Sequence, residues 1–158
     1  MTQIKTALIT SIFFFCVGIQ FTPHTAFAET IKWRSYKEGM VIGKKQEKQI
    51  FLNFYAKWCA YCVKMEKETF KDPIVINYLN KYFIPIKINA DKEKQIALQY
   101  HVMGLPVTWF LTKKGEKISY RPGFIPANTL LQILKYIQTN SFKKMTFIDF
   151  TKKNTHKP

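Results

Sequence analysis

Two cysteines separated by two residues stand directly behind a short apolar run, and no other feature of this sequence restricts the fold as much. Ile50-Phe51-Leu52-Asn53-Phe54-Tyr55 is nearly continuously apolar, the pattern of a strand buried on both faces. Cys59-Ala60-Tyr61-Cys62 follows at once, and a helical pattern begins there. A strand that hands the chain straight to a helix puts Cys59 at the helix N-terminus. Free backbone N–H groups and the helix dipole favour negative charge at that point. A thiolate, not a thiol, attacks a disulfide. Cys62 lies three residues on, along the same helical face, within reach of a mixed disulfide formed by Cys59. Cys59 is therefore read as the nucleophile and Cys62 as the resolving residue.

Other uses of the pair stay open at this point. A c-type haem site needs His directly after the second Cys, and Val63 stands there. A structural zinc site needs four ligands, and beyond the pair only His101 is a plausible third. A Cu(I) site built on the two sulfurs is conceivable, because soft ligands select that ion. An inert structural disulfide is a further reading, although so short a loop restricts the unfolded chain little. No metal and no other cofactor is expected.

The 158 residues suffice for one domain. Lys5, an apolar run over residues 7–19 and the small-x-small Ala26-Phe27-Ala28 read as a cleavable signal peptide over residues 1–28. An uncleaved anchor is the alternative. Cys16 lies inside that run without the small residue a lipid anchor requires before it. Residues 29–140 form the expected domain, and residues 141–158 a basic tail. The formal charge is +15; with Lys5 removed, 24 basic residues face 10 acids, giving +14. That charge reads as a solvated basic surface or as an attraction to anionic partners. No nucleic-acid motif is visible, so nucleic acid is not an expected partner.

Along the chain, residues 33–48 are read as a helix with Trp33, Tyr36 and Met40 near one face, a reading that Gly39 and Gly43 weaken. Asp72-Pro73 is an N-cap with proline in the first turn. Residues 83–89 alternate as a strand, and 92–100 read as a short helix with Ile96, Ala97 and Tyr100 on one side. Residues 107–111 and 117–120 form a hairpin. Pro126 opens a strongly periodic helix. Residues 145–150 are expected either to add an edge strand or to pack on the surface, and the last eight residues to fray. Helices between strands imply an α/β fold, a central mixed sheet covered on both faces.

Phe54-Tyr55-Ala56-Lys57-Trp58-Cys59-Ala60-Tyr61-Cys62 resembles the active-site segment of the thioredoxin superfamily, and Gly104-Leu105-Pro106-Val107-Thr108 resembles its cis-proline loop. Gly123 falls where that family has a glycine after the last strand. A CxxC behind a strand with Gly-x-Pro about 45 residues later is a specific combination. Residues 62–73 are similar to the C-terminal thioredoxin-like domain of the membrane reductase DsbD and to small secreted proteins of that kind. The likeness concerns that one module.

The resemblance implies a thioredoxin fold and an exported, periplasmic or secreted, thiol:disulfide oxidoreductase. It implies Cys59 and Cys62 as the redox-active disulfide, and Trp58, Leu105 and Pro106 as the substrate-binding surface. Simple core packing is the alternative for Trp58. Thioredoxins carry a buried Asp six residues before the first Cys; Asn53 stands there, and an amide cannot titrate. Lys87 matches the family's nearby lysine. Glu66 matches an acid of the DsbD-like domain and falls on the cysteine face of the helix, so it is the expected proton acceptor for Cys62, with a solvated surface residue as the alternative. Ala60-Tyr61 brings no charge between the cysteines, which argues for a reductase over a strong oxidant. Its expected partners are disulfides of exported proteins and a membrane electron donor of DsbD type. A monomer is expected. An oxidase or isomerase, or a Cu(I) carrier using the same cysteines, are the rival functions.

Overall fold

The computed structural model describes residues 29–155, so the expected signal peptide lies outside the described residues. A four-stranded mixed sheet is built from β1 (Gln49–Tyr55), β2 (Phe83–Asn89), β3 (Val107–Leu111) and β4 (Lys117–Pro122). The strand order is β2-β1-β3-β4. β1 runs parallel to β2 and antiparallel to β3, and β3 pairs antiparallel with β4. The helices are α1 (Tyr36–Gln46), α2 (Ala60–Lys67), α3 (Pro73–Tyr82), α4 (Lys94–Gln99), α5 (Ala127–Gln138) and α6 (Phe147–Thr155).

Alternation along the strands divides the core in two. Phe51, Phe83 and Phe110 face α3 and α5, where Val75, Leu79, Leu130 and Leu134 meet them. Ile50, Leu52, Phe54, Ile86 and Ile88 face α1 and α4, against Tyr36, Met40, Ala97 and Tyr100. A central strand covered on both faces needs apolar residues at every position, and five of the seven residues of β1 are buried in succession. The expected N-cap forms: the Asp72 carboxylate accepts from the N–H groups of Ile74 and Val75 at 2.9 and 3.0 Å.

Three expectations need correction. Trp33 is not on the first helix. Ser35 caps α1 by accepting the N–H of Glu38, so the helix begins at Tyr36. Upstream, Arg34 lies extended along β2: its N–H donates to Pro85 O at 2.9 Å, and Lys87 N–H donates to Arg34 O at 3.2 Å. Trp33 thereby packs on the opposite sheet face, with its ring 5.0 Å from that of Phe70 and 6.0 Å from that of Phe51. Gly39 and Gly43, which weakened the helix reading, are the buried residues of α1. A Cβ on Gly39 would stand 2.3 Å from Ile86 Cγ1, so these glycines let the helix approach the sheet closely.

The remaining corrections concern the tail. Residues 147–155 form α6, which packs on the surface, as one of the two expectations had it, rather than adding an edge strand, and which does not fray up to Thr155. Thr146 Oγ1 accepts the N–H of Asp149 and donates to its carboxylate, an N-cap. Phe147 and Phe150, three apart, then meet one ring, Tyr136 of α5, at 5.4 and 5.3 Å. The apolar spacing of residues 145–150 fits strand and helix alike, and the Thr146-x-x-Asp149 cap decides between them.

Candidate active site around Cys59 and Cys62

β1 ends at Tyr55, and four residues later Cys59 occupies the N-cap of α2 in an extended backbone conformation. Its Sγ accepts the N–H of Cys62 at 3.1 Å, so one of the unpaired donors of the helix N-terminus points at the sulfur. Cys59 and Cys62 are joined as a disulfide, with Cα atoms 5.2 Å apart. Both residues are buried, 5% and 8% exposed, so exposure does not distinguish them; the N-cap position does.

The disulfide is framed by two segments. On one side Trp58 and Tyr61 stand out into solvent, 73% and 63% exposed. The Trp58 indole N–H donates to Asp91 Oδ2 at 3.0 Å. On the other side Leu105 packs against Ala56, Cys59 and Cys62. The Leu105–Pro106 peptide bond is cis. Pro106 O accepts the N–H of Gly123 at 2.7 Å, and Gly123 adopts φ +82°, a conformation glycine enters without a Cβ clash. Among the described residues, no backbone hydrogen bond uses the N–H or C=O of Leu105. Met103, beside it, is almost fully exposed.

Strand register builds the floor. Asn53 of β1 pairs with Lys87 of β2 and with Thr108 of β3, so these three form one row across the sheet. Asn53 and Thr108 are fully enclosed, and Asn53 Nδ2 donates to Thr108 Oγ1 at 3.1 Å. Lys87 Nζ forms an ion pair with Glu66 of α2. The same ammonium lies 4.8 Å from the Tyr55 ring centroid and 5.2 Å from that of Trp33, favourable cation–π positions. Between this row and α2 lies a cleft of about 240 Å³, lined by Asn53, Tyr55, Cys62, Glu66, Lys87 and Pro106 among others.

Every residue singled out from the sequence for the redox chemistry thus gathers at the C-terminal end of β1. His101, the residue weighed as a third metal ligand, is exposed at the end of α4 with φ +52°. Among the described residues, no group of three or more His, Cys, Asp and Glu is placed to hold a metal ion. The sequence reading missed Asp91 and the partnership of Thr108 with Asn53. Asp91 carried a signal: an acid two residues past the end of β2 stands at the same sheet end as the cysteines, where ligands of open α/β sheets gather. Thr108 carried none, because its partner is set by register.

Residues 36–138 match the family model described as "Thioredoxin-like domain". The chain belongs to the thioredoxin-like family. Its CxxC disulfide stands at the N-cap of α2. Among curated proteins it is similar to the thiol:disulfide interchange protein DsbD of Photorhabdus laumondii, 28% identical over 116 residues, which are 70% of this chain and 20% of that protein. The chain spans about a fifth of the length of the DsbD proteins it matches over most of its own length. Among solved structures, a thioredoxin from Thermus thermophilus superposes with a TM-score of 0.63 at 23% identity, covering 68% of this chain and 87% of that one. A structure described as DsbH oxidoreductase superposes with a TM-score of 0.60 at 21% identity, covering 74% and 90%. These two likenesses speak for the thioredoxin-like fold alone. No helix among the described residues is long and apolar enough to cross a membrane.

Proposed function

We propose that this thioredoxin-like protein is an exported reductase that carries electrons from a membrane donor of DsbD type to the disulfides of periplasmic or secreted proteins. One observation carries the reading: the Cys59–Cys62 disulfide caps α2 with only uncharged Ala60 and Tyr61 between its sulfurs. The N-cap lowers the cost of a Cys59 thiolate, and no charge within the loop adds the heavy stabilisation that strong oxidants use.

In the reduced protein, the Cys59 thiolate attacks one sulfur of a substrate disulfide and expels the other as a thiolate. Cys62 then attacks Cys59 Sγ, forms the intramolecular disulfide and expels the second substrate sulfur. Two electrons pass from the dithiol to the substrate, and the donor restores the dithiol by the reverse exchange. Glu66, lining the cleft with Cys62, takes the Cys62 proton, and Lys87 holds the carboxylate in place. Leu105, beside the disulfide with unused backbone groups, pairs with an extended substrate segment, while Pro106 shapes the loop and Trp58 forms the rim. The apolar run over residues 7–19 and Ala26-Phe27-Ala28 support export.

The equilibrium reduction potential of Cys59–Cys62 in defined thiol buffers tests the direction. A value near about −270 mV supports a reductase that needs a donor, and a value near about −120 mV reverses the electron flow. N-terminal sequencing of protein recovered from the cell envelope tests export, with Glu29 as the expected first residue.

A further inference from the structure

The end of the sheet opposite the disulfide carries a second concavity, of about 520 Å³. It is walled by the residues that follow α1 and open β1, the last residues of α3 and α5, the segment after α5 and the β3–β4 turn. Gln49 lies in this wall at the start of β1, while Tyr55 at the other end leads into the cysteine loop. Six strand steps make that separation about 20 Å. The wall is held by internal bonds: Gln49 Nε2 donates to Ile137 O and to Asn140 Oδ1, both at 3.1 Å, tying β1 to the end of α5.

Its charge is not balanced. Five lysines and two glutamates line it. Lys113 pairs with Glu47, and the Glu116 carboxylate accepts from Thr112 Oγ1 at 3.1 Å. Lys48, Lys81, Lys114 and Lys143 have no acid within ion-pair distance among the described residues. Lys81 Nζ instead lies 5.0 Å from the Tyr82 ring centroid. Four ammonium groups around one hollow repel one another, and a concave wall gathers their field inward. An anion placed there relieves that repulsion, and the volume is that of a small-molecule site. Lysine ammoniums are point charges suited to phosphate oxygens.

We propose that this cavity binds a compact phosphate-bearing polyanion, at a site separate from the disulfide. Two sources share that chemistry, a soluble polyphosphate compound and a phospholipid headgroup. The intact protein is titrated calorimetrically with tripolyphosphate and, separately, with vesicles of phosphatidylglycerol in phosphatidylcholine, at about 0.15 M salt so that exposed charges are screened. The variant Lys48→Gln/Lys114→Gln/Lys143→Gln is compared with Lys37→Gln/Lys45→Gln/Lys71→Gln, which removes the same charge from exposed positions outside the cavity. The expected result is saturable binding by the wild type, weakened at least tenfold in the cavity variant and by less than threefold in the control. Loss with tripolyphosphate identifies a soluble ligand, and loss with vesicles alone identifies a headgroup. Equal loss in both variants, no loss in either, or no saturable binding by the wild type overturns the proposal. Insulin reduction by the cavity variant at the wild-type rate shows that the fold is intact.

Discussion

Replacing Glu66 by Gln keeps the size of the side chain and removes its capacity to take a proton. Two consequences follow from its surroundings, and they differ in size. The Glu66–Lys87 pair is open to solvent, with 44% and 20% of the two side chains exposed. Such a pair contributes on the order of 0–1 kcal/mol, so the urea midpoint of Glu66→Gln should barely move. Proton transfer by a positioned carboxylate contributes about 10²–10⁴ in rate. A carboxylate nearly half exposed competes with water for that role, which places the expected effect at or below the lower end. Resolution of the mixed disulfide should slow about 10- to 100-fold, equivalent to about 1.4–2.7 kcal/mol of barrier. The assay is rapid acid quench of the reduced protein mixed with excess peptide disulfide, separating the mixed disulfide from the oxidised protein at each time. An accumulating mixed disulfide with unchanged stability is the expected outcome. Wild-type decay of that intermediate between pH 6 and pH 9 would refute the role of Glu66, and a rate lost only in proportion to stability would make the residue structural.

Cys62→Ser should leave Cys59 able to attack and nothing to release it, so a covalent adduct with disulfide substrates should persist on non-reducing gels; Cys59→Ser giving the adduct instead would exchange the two roles. Gly39→Ala should destabilise the fold by up to about 2 kcal/mol in urea unfolding. Overpacking against Ile86 costs about 1–3 kcal/mol, and the gain in helix propensity returns about 1. Gly43→Ala, whose added Cβ would meet Ile50 Cδ1 at 3.0 Å, should cost less, and the reverse order would contradict this packing account. The Tyr100 phenol is held well above its ordinary value by burial, then by its hydrogen bond with Tyr36. The folded state therefore keeps this proton more tightly than the unfolded chain. Its contribution is whole below pH about 10 and is lost as pH rises further toward the folded value. Stability measured from pH 8 to pH 11 should fall above pH 10, and Tyr100→Phe should flatten that fall.

Much of this molecule was legible along the chain, because the signals were local. A buried strand running into Cys59-x-x-Cys62, the Asp72-Pro73 cap, the hairpin over residues 107–120 and the periodicity after Pro126 each occupy a few consecutive residues. Turn chemistry and side-chain period act at that range, so they determine the strands, most of the helices and the place of Cys59 at an N-cap. Register and approach act between distant segments, and the sequence carries no direct record of them. Asn53, Lys87 and Thr108 share a row because three strands pair in one alignment. Trp33 lies across the sheet from α1 because Arg34 bridges to the edge of β2. Glu66 meets Lys87, and Trp58 meets Asp91, only when α2 and β2 are brought to one end of the sheet. The lysine-walled hollow at the other end is assembled from four chain segments, none of which is unusual by itself. Local chemistry determined where the sulfurs stand on the chain, and packing decided which side chains surround them, because a contact between segments exists only once the segments have folded together.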